Sequence, residues 1–165
     1  MKSRSRDGRA TIVVDSREQA PYRFDPASVA VTRQALPAGD YSVLGMETEI
    51  AVERKSLKDF VSTVIHARDR FKRELEKLRA YAVACVVIEA DLRDVVLGRY
   101  RSRAHPNAIL ASALAIYVDY GIPVFFCSDR EIASRFVMGL LLRYHKEKVQ
   151  RMPEEEGGID HDCRK

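Results

Sequence analysis

Long apolar runs are missing from this sequence. None of its 165 residues belongs to a stretch approaching the roughly 20 apolar positions that a bilayer span needs, and Met1-Lys2-Ser3-Arg4-Ser5-Arg6 leads into no signal-peptide core. The expectation is a protein without a membrane segment that stays where it is made: intracellular, in cytoplasm or nucleoid, or in a nucleus. Cysteine is scarce. Cys85, Cys127 and Cys163 are too few and too scattered for a disulfide framework or a CxxC zinc site, which points to a reducing interior. His66, His105, His145 and His161 show no ligand spacing. There is no internal repeat, no GxxxxGK and no glycine-rich phosphate cradle, which argues against a nucleotide-driven motor.

What is present suits one globular domain. With 46% hydrophobic and 32% charged residues the chain can bury a core under a highly charged surface, unlike a disordered or fibrous chain. The net charge of +4 conceals a split. Beyond Gln150, Glu154, Glu155, Glu156, Asp160 and Asp162 outnumber Arg151, Arg164 and Lys165, leaving +6 on residues 1 to 150. A basic body suits a polyanion such as nucleic acid, although charge alone is weak evidence. The expected organisation is a basic flexible arm over residues 1–10, a domain over 11–148 and an acidic disordered tail over 149–165.

Thr11-Ile12-Val13-Val14 reads as a buried strand ending at Asp15, and Val29 and Val31 alternate as in a half-buried strand. Tyr41 to Leu44 and Glu49 to Lys55 flank a loop of hairpin length. Ser56-Leu57-Lys58-Asp59 resembles a capping box opening a helix, and Phe71, Leu75, Leu78 and Ala82 stripe a second helix with a basic exterior. Val83 to Ile88 reads as a central strand. A helix from Pro106 stopped by Gly121, a buried strand over 122–127 and a helix from Ser128-Asp129-Arg130-Glu131 to about Lys148 complete the pattern. This is an α/β fold.

The hairpin carries the chemistry. Pairing Val43 with Ile50 and Tyr41 with Val52 gathers the apolar residues on one face and sets Asp40 opposite Glu53. Like charges opposed at about 5 Å destabilise a sheet unless something offsets them, and a divalent cation would. Alternation places Lys55 on the same face as Glu53. Mg²⁺ favours a few carboxylate oxygens, waters and substrate phosphate, while a lysine can orient or deprotonate water or stabilise a pentavalent phosphorus. The plainer alternative makes Glu53 and Lys55 an exposed strand edge and Asp40 a turn residue.

Val13-Val14-Asp15-Ser16-Arg17-Glu18, Leu36-Pro37-Ala38-Gly39-Asp40-Tyr41 and Glu53-Arg54-Lys55-Ser56-Leu57-Lys58-Asp59 resemble, in order, the signature motifs of the XPF-family nuclease domain. Arg70-Phe71 with Glu74-Leu75, and Val87-Ile88-Glu89, extend the similarity over about residues 11 to 148; Ala90 departs from a frequent family glycine. The resemblance implies a restriction-endonuclease-like mixed β-sheet flanked by α-helices, in a single domain that cuts DNA near duplex/single-strand junctions, flaps and forks, with Mg²⁺ or Mn²⁺, in repair or recombination. It makes Asp40 and Glu53 metal ligands, Asp15 a further acid at the ion and Lys55 the water-positioning base. Arg17 and Glu18 would lie at the site's edge and Arg54 would serve scissile-strand or structural contacts. Asp59 would brace the motif, with helix capping as its simple alternative; Glu89 reads as structural.

The family's usual tandem helix-hairpin-helix domain is not seen in this sequence, so DNA contacts are expected from Arg99, Arg101 and Arg103, from Arg68 and Lys72, and from the arm (Lys2, Arg4, Arg6, Arg9). For each of these a solvated charged face is the plain alternative. Family members usually work as dimers, which implies a homodimer, or a heterodimer with a DNA-binding partner, for which the 107–120 and 131–144 helices offer surface. The rival from another class is a non-catalytic DNA-binding or scaffold subunit, disfavoured because Asp15, Asp40, Glu53 and Lys55 are all present. A small Holliday-junction resolvase of the same superfamily is disfavoured by the motif spacing.

Overall fold

Six strands and five helices make up the computed structural model, which describes residues 9–151. They are β1 (Thr11–Asp15), β2 (Ala30–Gln34), β3 (Tyr41–Val43), β4 (Ile50–Ser56), α1 (Leu57–His66), α2 (Arg68–Arg79), β5 (Val83–Glu89), α3 (Leu92–Val96), α4 (Pro106–Tyr120), β6 (Val124–Phe126) and α5 (Arg130–Gln150). One mixed sheet runs β2-β1-β3-β4-β5-β6. β3 is antiparallel to β1 and to β4, while the β1/β2, β4/β5 and β5/β6 pairs are parallel.

Strand alternation sorts the core into two layers. Ile12, Val14, Tyr41, Val43, Ile50, Val52, Cys85 and Val87 pack with Val137 and Leu141 of α5. Ala51, Val86 and Ile88 pack with Phe60, Phe71, Leu75 and Ile109 of the other helices. Local signals fix the helix ends. Ser56 accepts the Asp59 N–H and Asp129 the Ile132 N–H, and Gly121 closes α4 in the left-handed region at φ 70°. No helix covers the link from β1 to β2. Instead Tyr22 from that link stacks on Tyr41 at 5.1 Å, and Phe24 meets both rings edge-on.

Several sequence expectations shift. Of the expected hairpin rungs, Tyr41 pairs with Val52; near Val43 the Ser42 hydroxyl instead donates to the Ile50 carbonyl at 2.6 Å. The 122–127 strand contracts to Val124–Phe126 at the sheet edge, with Phe125 exposed rather than buried. A short helix, α3, follows β5 where none was expected; Asp91 and Asp94 cap it reciprocally. Val149 and Gln150 belong to α5 rather than to a tail, and Ala10 is buried rather than part of a free arm. Arg9 of the expected arm donates to the Ala27 carbonyl at 3.0 Å and Arg151 caps α5, while residues 1–8 and 152–165, with His161 and Cys163, lie outside the described residues. Among the described residues no helix is long and apolar enough to cross a membrane.

Candidate active site

Asp15, Asp40 and Glu53 come from three adjacent strands. Asp15 closes β1, Asp40 stands one residue before β3, and Glu53 lies in β4. The backbone locks the first two together, since the Asp15 N–H donates to the Asp40 carbonyl at 2.8 Å. Asp40 is joined to β4 twice: its N–H donates to the Val52 carbonyl at 2.8 Å, and its Oδ2 accepts the Arg54 N–H at 2.8 Å. Gly39 makes this approach possible. At φ 74° it is in the left-handed region, and a Cβ there would stand 3.1 Å from both Ala51 Cβ and the Val52 carbonyl oxygen.

Asp40 is electrostatically loaded. Burial first, then the adjacent Glu53 and Glu18 carboxylates, raise its pKa from 3.8 to about 7, against the opposing Arg54 N–H and Lys55 charge. Lys55 Nζ lies 3.0 Å from Glu53 Oε1, both side chains nearly buried, and 4.8 Å from the centroid of the Phe71 ring on α2. Two acids and an ammonium therefore meet at the end of the central strands, with α2 packed beside them.

The other expected site residues divide. Asp15 is saturated: Oδ1 accepts the Arg17 N–H and Nε, each at 2.8 Å, while Oδ2 accepts Arg17 Nη2 at 2.9 Å and the Leu36 N–H at 2.8 Å. Burial pushes its pKa up, but these hydrogen bonds win and hold it at about 2. Asp15 thus binds Arg17, whose guanidinium is largely exposed and feels both Glu74 and Asp40. Glu18 lies buried at the edge, 3.6 Å from Arg54 Nη1. Arg54 turns to the α5 face and grips Glu89 with two bonds of 2.7 and 3.0 Å. Asp59 is exposed and receives the Ser56 hydroxyl at 2.6 Å, as a cap residue does. Arg68 and Lys72 lie exposed on α2, which the Lys55–Phe71 contact brings to the site. Arg101 and Arg103 are exposed, and Arg99 pairs with Asp94 at 3.5 Å.

Sequence reading passed over Phe71 and Glu74 as site residues, although both stood in a family-like segment, and over Tyr22 and Arg130. Nothing in the local pattern marks Arg130, because its partners lie 41 and about 110 positions away.

Residues 14–140 match the ERCC4 domain. The chain belongs to the ERCC4-domain family. Among curated relatives, it is 28% identical to the 3′-flap repair endonuclease Xpf of Saccharolobus solfataricus over 140 residues, covering 78% of this chain and 56% of that protein. It is 29% identical over 120 residues to a Methanocaldococcus jannaschii protein named as an ATP-dependent RNA helicase, covering 73% of this chain and 14% of that one. The chain therefore spans only part of each. Among solved structures, XPF from Aeropyrum pernix superposes with a TM-score of 0.64 at 25% identity, covering 85% of this chain and 68% of that chain. The same protein complexed with DNA gives 0.63 at 26%, covering 85% and 66%. The ERCC4-domain chain is thus an XPF-type nuclease domain with the restriction-endonuclease-like fold.

The acids suit a hard divalent cation. Asp40 and Glu53 offer only oxygen, and their mutual repulsion would be relieved by positive charge. Among the described residues no group of three or more His, Cys, Asp or Glu side chains forms a ready cage. Mg²⁺ does not require one, since one or two carboxylates with waters and a substrate phosphate satisfy it.

Proposed function

We propose that this ERCC4-domain chain is a metal-dependent, structure-specific DNA endonuclease that hydrolyses phosphodiester bonds near duplex/single-strand junctions, in repair or recombination. The observation that carries the reading is the convergence of Asp40, Glu53 and Lys55 beside α2 in a chain of this family. Asp40 and Glu53 would hold Mg²⁺, or Mn²⁺ in its place, and the ion would supply Lewis-acid stabilisation of charge on the phosphate. Lys55, held between Glu53 and the Phe71 ring, orients the attacking water, and it takes that water's proton only from its neutral amine form; as the ammonium it stabilises charge on the pentavalent phosphorus. Asp15 holds Arg17 at the rim, where an exposed guanidinium can meet a phosphate oxygen. Arg68 and Lys72, with Arg101 and Arg103, extend positive surface for the DNA backbone. Support for DNA as partner comes from the DNA complex of the Aeropyrum pernix relative.

A dimer is part of the same reading. Leu114, Tyr117 and Val118 are exposed on the outer face of α4, which carries no charge before Asp119. A second copy, or a DNA-binding partner, would cover them.

The test incubates the chain with labelled flap, fork, junction and single-stranded DNA in Mg²⁺, Mn²⁺ or EDTA. Metal-dependent cutting that Asp40→Asn and Glu53→Gln abolish is expected. Equal cutting by wild type and Asp40→Asn would move the chemistry elsewhere, and DNA binding without cutting in any metal would leave the scaffold reading.

A further inference from the structure

The α5 face of the sheet carries a charge network behind the site. Arg54 points away from Glu53 and Lys55, as strand alternation requires, and meets Glu89 at 2.7 and 3.0 Å and Glu18 at 3.6 Å. Burial lowers the pKa of Arg54, but Glu89 and Glu18 outweigh it and hold the guanidinium charged. Two acids facing one arginine leave an excess negative charge in a nearly buried place.

Arg130, the first residue of α5, supplies the second cation. Its Nη1 lies 3.2 Å from Glu89 Oε1, the oxygen that also accepts Arg54 Nε. Its Nη2 donates to the Ala20 carbonyl and, at 2.8 Å, to the Pro21 carbonyl, while the guanidinium lies 4.9 Å from the Tyr22 ring centroid. Arg54 lies 5.9 Å from the same ring. One side chain thus ties the start of α5, the end of β5 and the 18–22 link. Glu18, in that link, is one of the charges that Asp40 feels. The planar fork spreads these bonds over two nitrogens, Nη1 toward the acid and Nη2 toward the carbonyls, whereas a lysine ammonium carries all three of its donors on one atom.

We propose that Arg130 is a positioning residue: through Glu89 and Arg54 it fixes the Glu53-Arg54-Lys55 segment, and through Ala20 and Pro21 it fixes Glu18 beside Asp40. The inference rests on the nuclease reading for its catalytic consequence and on the structure alone for its mechanical one. Three of the five N–H donors of Arg130 are committed to protein acceptors, and the salt dependence of KM separates a DNA-phosphate contact from the positioning role.

Arg130→Met and Arg130→Lys are compared with wild type and with Arg143→Met, which removes a largely exposed arginine paired with Glu147 on the same helix. At saturating branched DNA and Mg²⁺, Arg130→Met should lower kcat about tenfold to a hundredfold, with KM within about twofold. Arg130→Lys should recover only part of kcat, and Arg143→Met should leave it unchanged. Hydrogen exchange should show faster exchange across residues 50–56 in both Arg130 variants and not in Arg143→Met. A lower Tm with unchanged kcat, or a raised KM with an altered salt dependence at unchanged kcat, would overturn the proposal. If wild type cuts no DNA, the nuclease reading falls by itself and the exchange comparison decides: unchanged exchange over 50–56 refutes the positioning role.

Discussion

Replacing Asp40 by asparagine should stabilise the fold at alkaline pH while removing its chemistry. Burial beside Glu53 and Glu18 raises the Asp40 pKa from 3.8 to about 7. At about 1.4 kcal/mol per pH unit, the ionised carboxylate costs roughly 4 kcal/mol more in the folded than in the unfolded chain. The sign follows from proton counting. Between about pH 4 and pH 7 the folded state keeps a proton that the unfolded chain has released, so stability falls as pH rises through that window and then levels off. Asparagine retains an oxygen to accept the Arg54 N–H, which Asp40 Oδ2 takes at 2.8 Å, and it removes the charge. Urea unfolding of both proteins from pH 4 to pH 9 is the assay. The variant should gain little near pH 4 and about 2–4 kcal/mol at pH 8. Adding Mn²⁺ at pH 8 should then stabilise wild type by mass action and leave the variant unmoved. A difference independent of pH, or a variant less stable at pH 8, would refute the electrostatic account of this site.

Asp15 should behave oppositely: its pKa is lowered to about 2, so its contribution is present above about pH 4 and lost as pH falls through 2. Asp15→Asn should cost about 1–2 kcal/mol at pH 7, read by urea unfolding, with the loss vanishing in strong acid. Gly39→Ala should cost about 2–3 kcal/mol, because φ 74° and two contacts of 3.1 Å both oppose a Cβ, whereas Gly139→Ala, in open space on α5, should gain about 0.5–1 kcal/mol. Lys55→Met should cut DNA cleavage about 10²–10⁴-fold in a single-turnover assay while leaving DNA binding in place. A Tyr117→Glu/Val118→Arg double change on the exposed α4 face should leave the chain monomeric in sedimentation at concentrations where wild type pairs.

Much of this molecule is legible in sequence because its signals are local. Thr11-Ile12-Val13-Val14 makes a strand through β-branching, Ser56 and Asp129 start helices through their own side chains, and Gly121 ends one through its left-handed φ. Period-two alternation alone puts Glu53 and Lys55 on one face and Arg54 on the other, and their 3.0 Å contact and the turn of Arg54 toward Glu89 follow it. The order of the three motifs carried the family, which residues 14–140 bear out.

Contacts between distant residues carried no such signal. Sequence grouped Asp15 with the metal ligands, but the fold surrounds it with Arg17 and the Leu36 N–H, so its oxygens brace the rim. Arg130 looked like a helix-starting residue; packing of α5 across the sheet sets it against Glu89 and two carbonyls. The 122–127 run had the composition of a buried strand and became a three-residue edge, since strand order decides which apolar run is covered on both sides. Composition and periodicity act over a few residues and so determined the elements, their faces and the acids and lysine of the site. Tertiary structure brings together groups far apart in the chain, and it alone decided that a guanidinium and the Leu36 N–H saturate Asp15 and how far burial raises the proton affinity of Asp40.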